Sequence, residues 1–189
     1  MTAPKAKRKP VVDDLWALPA RVLTKDRQAF DPRSDHWPLA RTQRGGDQIV
    51  VRFEPLRRHA TPRFVEITKR WLADRARELK SSTLSNYAIS ARRVAEFLQT
   101  RAGKLADWSD VTAAALDALL KHDLMRRTGV RGNDFAIIRT LYRWGLWVAE
   151  LPDFNEATWG AISTVRAPGN LKGQRVLGRD ADRGPLTPD

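Results

Sequence analysis

The stretch KSSTLSN, residues 80–86, gathers groups suited to holding a phosphate and reading a base. Lys80 supplies a cation, Ser82, Thr83 and Ser85 supply hydroxyls, and the segment opens a helix whose first-turn N–H groups have no acceptor inside the helix. Asn86 adds a carboxamide, which can pair with an adenine edge through two hydrogen bonds. At about 100° per residue, Asn86, Ile89 and Arg93 share the face opposite the apolar stripe, flanked by Ser85 and Arg92. Ile89 is out of place on a solvent face. It suits either a thymine methyl or packing against residues 11–60.

A second cluster lies in MRRTGVRGND, residues 125–134. Arg126, Arg127, Arg131 and Asn133 surround two glycines just ahead of another helix, where guanidinium groups and backbone donors make a second phosphate seat. The polar arc of that helix holds Ala136, Arg139, Thr140 and Arg143. Each arginine singly fits a solvated surface charge, or a partner of Asp123 or Asp134. The two clusters together, on two helices, favour nucleic acid.

The elements that position these residues are helical. Thr61-Pro62 opens a first helix, with Phe64, Ile67, Trp71, Leu72 and Leu79 at helical spacing. A second follows Ser81-Ser82, with Leu84, Tyr87, Ala88, Ala91, Val94, Ala95 and Leu98 as a clean stripe, ended by Gly103. Thr112 caps a shorter third helix carrying Leu116, Leu119 and Leu120. The fourth runs from about Asn133 to Ala149, where Leu151-Pro152 breaks it. Its apolar residues, Phe135 through Val148, cover most of the circumference, as expected of a central buried helix. A short helix around Asn155–Ile162 is the last pattern before a Gly- and Pro-rich stretch.

Four parts result: a disordered basic tail (1–10), an N-terminal extension (11–59), a helical domain (60–152) and a linker (153–189). The extension is interrupted by Pro19, Pro32, Pro38 and Pro55, has Trp16 and Trp37 as packing anchors, and contains one short strand in DQIVVRF (47–53). It is expected to wrap the domain that follows. The fold class is mainly α, a bundle of four to five helices with an irregular N-terminal extension.

Composition narrows the function. Lys and Arg number 34 against 22 Asp and Glu, a net +12. Residues 1–60 carry 13 basic against 7 acidic side chains, residues 61–150 carry 16 against 10, and residues 151–189 carry 5 of each. Such a balance draws polyanions. The chain has no Cys, which removes disulfides, thiolate metal sites and Cys nucleophiles. No apolar run reaches the roughly 18–20 residues of a membrane span. His36, His59 and His122 lack metal-ligand spacing, and Gly-rich GVRGND lacks the Lys-Ser/Thr of a phosphate-binding loop. Asp180 and Asp182 have no Glu at calcium-loop spacing, and Tyr87 and Tyr142 lie on apolar faces as core residues. A cytoplasmic protein without cofactor or metal is expected.

Four segments in order resemble the core-binding domain of tyrosine recombinases, the phage integrases. LKSSTLSNYAISARRVAEFLQTR (79–101) is similar to its "T-x-x-x-Y … F" helix, DWSDVTAAALDALL (107–120) to its next segment, and GNDFAIIRTLYRWGLWVAELPDFN (132–155) to its closing helix and turn. KGQRVLGRDADRGPLTPD (172–189) resembles the linker into the catalytic domain, with Leu186-Thr187-Pro188 as that domain's helix start. The resemblance implies a SAM-like helical bundle that clamps duplex DNA with its second and fourth helices. By position it picks out Lys80, Ser82, Thr83 and Asn86, with Arg139 and Arg143. It also implies that the family's catalytic Arg, Lys, His-x-x-Arg and Tyr lie beyond Asp189, so that these residues bind without cutting. Two other readings stay open: a truncated regulatory DNA-binding protein, and a helical bundle using its basic face on an acidic protein.

Overall fold

The computed structural model describes residues 19–41, 48–125 and 133–166. Trp16, Arg126, Arg127 and Arg131, the basic tail and residues 167–189 lie outside them. The described chain is mainly helical, with two small antiparallel hairpins at its N-terminal end.

The hairpins are β1 (Val22–Leu23) with β2 (Ala29–Phe30), and β3 (His36–Arg41) with β4 (Gln48–Arg52). Pro38 sits in β3 opposite Val50, tolerated because a two-stranded ribbon leaves one edge of each strand unpaired. A one-turn helix, α1 (Glu54–Arg57), follows at once, with Pro55 in its first turn. The extension therefore holds four strands and a helical turn where the sequence pattern predicts a single strand.

The helices follow their periodicity. α2 (Pro62–Arg75) is capped by Thr61, whose hydroxyl accepts the Phe64 N–H at 3.2 Å. α3 (Ser81–Ala102) ends where Gly103 turns left-handed at φ +69°, a conformation that suits glycine. A 3₁₀ turn (Trp108–Asp110), closed by a reciprocal Asp107–Asp110 capping box, leads into α4 (Ala113–Met125), whose Ala115 N–H is met by the Thr112 hydroxyl. α5 (Asn133–Trp147) is the buried central helix, and α6 (Glu156–Thr164) is capped by Asn155. α5 stops earlier than expected: Trp147 and Val148 are 51% and 67% exposed. Val148 thus leaves the core that its apolar type suggests.

One core serves hairpins and helices alike. Phe30 stacks on Trp37 at 4.4 Å, and Trp37 meets Phe53 edge-on at 4.7 Å. Phe64 stacks on Trp108 at 4.3 Å, and the Phe154 ring bridges Trp108 and Tyr142. Residues 153–166 belong to this packed body through Phe154 and Ile162, both buried. An ionic knot fastens the extension to the bundle. The ammonium of buried Lys69 donates to the Arg33 carbonyl at 2.7 Å and to Asp35 at 3.0 Å, while Arg57 grips Asp35 through two nitrogens and reaches Glu66 at 3.0 Å. The Arg57 hydrogen bonds hold the Asp35 carboxyl below the usual aspartate range; burial opposes them and Lys69 adds to them.

Candidate nucleic-acid interface

α3 and α5 pack against one another. Arg93, midway along α3, approaches Asp134 at the start of α5 at 4.0 Å. Near the other end of α5, the Trp144 indole donates to Asp74 on α2, one turn beyond Trp71, which stacks on Tyr87 of α3.

On α3 the exposed strip is Ser82, Asn86, Ile89, Arg93, Glu96 and Thr100. It includes the face predicted from periodicity, and Glu96 sets an acid at its C-terminal end. Lys80 is exposed just before the helix, and Thr83 is half-buried. Ser85 and Arg92 are half-buried and turn toward β4. On α5 the exposed strip is Ala136, Thr140 and Arg143, and Asn133 is half-buried.

Arg139 is differently placed from Arg143. Its guanidinium lies over the Phe135 and Trp159 rings, at 5.3 and 5.9 Å, and points toward the carbonyls of Ser163 and Val165, each at 3.4 Å. It braces the C-terminal end of α6, where a cation meets the negative end of the helix dipole. Burial, with the charge of Arg166 nearby, lowers its pKa. Arg139 is thus engaged inside the fold, whereas Arg143 stands open. A polar arc on α5 cannot reveal that α6 folds over part of it.

Both helix starts expected to offer backbone donors meet a carboxylate of this chain instead. Asp26, on the β1–β2 turn, accepts the Ser81 hydroxyl at 2.8 Å and the Ser81 N–H at 3.2 Å. Burial resists ionisation of Asp26, but the side-chain hydrogen bonds from Thr24 and Ser81, with backbone N–H groups, outweigh it and lower its pKa. Asp123, from α4, accepts the Phe135 N–H at 3.2 Å in the first turn of α5.

A further arginine, Arg52 of β4, lies beside α3, where the sequence pattern does not place it. A groove of about 230 Å³ separates α3 from β4, lined by Val50, Pro55, Ser85 and Ile89, with Arg52 and Arg92 among its walls. Ile89 is 38% exposed, so its anomaly is shared between this groove and solvent. The signal for Arg52 was the alternation in IVVRF, which puts Val51 and Phe53 inward and Arg52 outward. Nothing in the sequence said that this strand would lie against α3.

Among the described residues no cluster of His, Cys, Asp or Glu could hold a metal, and no helix is long and apolar enough to cross a membrane. Tyr142 is buried and Tyr87 is stacked on Trp71, as their apolar faces predict. His59 shares a 2.7 Å hydrogen bond with Gln99, and His122 packs on Phe97. Comparison with protein-family models, with curated proteins and with solved structures found no match.

Proposed function

We propose that this chain binds duplex DNA, as the non-catalytic core-binding part of a tyrosine recombinase with a SAM-like helical bundle. The observation that carries the reading is that two helices packed against one another each keep an open polar strip: Ser82, Asn86, Ile89 and Arg93 on α3, Thr140 and Arg143 on α5. They combine phosphate-binding cations and hydroxyls with one amide suited to adenine. The net charge of +12 supplies the long-range attraction. The family and its catalytic partner domain rest on the resemblance of the four ordered segments.

Duplex affinity should fall steeply with salt, with a slope of about −0.9 per phosphate neutralised. Asn86→Ala should erode preference among sequences, whereas Arg143→Ala should weaken binding to all of them. A supercoiled plasmid should stay supercoiled with this chain alone. A flat salt response, or no duplex binding at low salt, rejects the reading in favour of an acidic protein partner.

A further inference from the structure

We infer that the N-terminal hairpin is part of the DNA interface: Arg52 of β4 and Arg92 of α3 grip one sugar–phosphate backbone of the duplex. The inference rests on the DNA-binding reading and extends it to the β3–β4 ribbon.

Arg52 is exposed on β4, and Arg92 is half-buried on α3, across the same groove. Neither is matched by a carboxylate among the described residues, unlike Arg57, Arg63 or Arg75. The Arg92 Nε is shut away from solvent without a hydrogen-bond partner, so the part of the side chain nearest the helix is covered by the fold. Ser85 adds a hydroxyl, and Val50, Pro55 and Ile89 make an apolar floor. This combination suits a phosphate flanked by the carbon skeleton of a deoxyribose.

The occupant follows from where the groove lies. A helix seated in a major groove about 12 Å wide turns its leading strip to the base edges and its flanks to the two backbones. Arg92 directly precedes Arg93 and so lies about 100° around the helix from it, on the flank of the leading strip. Ser85 stands on that flank as well, and β4 brings Arg52 to it. The net charge of +12 draws any polyanion, and the apolar floor between the two guanidinium groups suits the sugar–phosphate chain of the duplex.

The test is salt-dependent anisotropy of a labelled mixed-sequence duplex with the full chain, comparing Arg52→Ala, Arg92→Met and Arg143→Ala. Methionine keeps the covered stem of Arg92 and removes the charge. Arg52→Ala and Arg92→Met should each reduce the salt slope by about 0.9, which across a tenfold span of salt amounts to about eightfold weaker binding at the low-salt end. The loss should be equal for all sequences, and Arg52→Lys should restore most of it. If the wild type binds steeply and Arg143→Ala weakens it while the two groove variants match the wild type, the inference fails and the DNA reading stands. Loss of poly-glutamate binding in the groove variants, with duplex binding intact, overturns it in favour of an acidic protein. A wild-type chain that binds no duplex removes both.

Discussion

Adding one methyl group at Gly145 should destabilise the fold, although alanine is the better helix former. Gly145 lies near the end of α5, and an added Cβ would fall 2.6, 2.7 and 2.8 Å from three carbons of the Phe154 ring. Comfortable carbon–carbon contact begins at about 3.5 Å, so the ring must retreat by roughly 1 Å. It has little room, because Trp108 lies at 5.1 Å and Tyr142 at 4.7 Å between ring centres, and the residue is 5% exposed. Overpacking of this kind costs about 1–3 kcal/mol. The helix preference of Ala over Gly returns about 1 kcal/mol. A net loss of up to about 2 kcal/mol remains, which for a chain of this size lowers Tm by as much as roughly 4–8 °C.

The control is Gly160→Ala in α6, where an added Cβ meets nothing within 4 Å. That substitution should raise stability by about 0.5–1 kcal/mol. Thermal melts and urea titrations followed by circular dichroism give both signs in one experiment. In the double variant Gly145→Ala with Phe154→Leu, the two losses should be less than additive, because the smaller side chain vacates the collision. If Gly145→Ala raises Tm as Gly160→Ala does, the seating of Phe154 against α5 is wrong, and with it the packing of α6.

Two further predictions concern the extension. Asp26→Ala strips the acceptor from buried Ser81 and the negative charge from the start of α3, and should cost about 1–2 kcal/mol, with Asp26→Asn recovering part of it. Asp35→Ala leaves the buried Lys69 ammonium with the Arg33 carbonyl and the more distant Glu66, and should cost about 3 kcal/mol, at the low end because Asp35 is 33% exposed. The pKa values of Asp26 and Asp35 are lowered below 3.8 in the fold, so their stabilisation is present above that value and is lost as pH falls through the folded values. Melts from pH 5 down to pH 2.5 should therefore steepen toward acid, less so in Asp35→Ala.

What was legible in the sequence was what the chain decides locally. The stripe of α3, its end at Gly103, and the caps at Thr61, Thr112 and Asn155 each depend on residues within one or two turns. The hairpins were not legible, because pairing β3 with β4 around Pro38 is a choice between distant segments, and the register shifts between Pro38 and Arg41. The same limit applied to the site. The strip Asn86–Ile89–Arg93 follows from the period of one helix and stands open as expected. The partners of Arg139 come from α6, and the acceptor at the start of α3, Asp26, comes from 55 residues before Ser81, so neither contact is visible in the period of one helix.

The carboxylates at the two helix starts bear on how DNA could be read. A phosphate brought to the first turn of α3 would meet Asp26 well inside the Debye length of about 8 Å at physiological salt. Repulsion there moves productive contact from the helix tip to its side, onto Asn86, Ile89 and Arg93. Seven residues of helix span about 10.5 Å. That is about three base-pair steps at 3.4 Å each. Within this window Asn86 is fit for bidentate readout of adenine and Arg93 for that of guanine, and each such contact discriminates by about 1–3 kcal/mol. Two contacts of that size bias binding without specifying a site among genomic competitors. On the DNA-binding reading proposed above, a chain so built would hold the duplex chiefly by its phosphates. Selectivity for one site must then come from elsewhere: from the shape of the duplex, from a second protein copy, or from a partner domain.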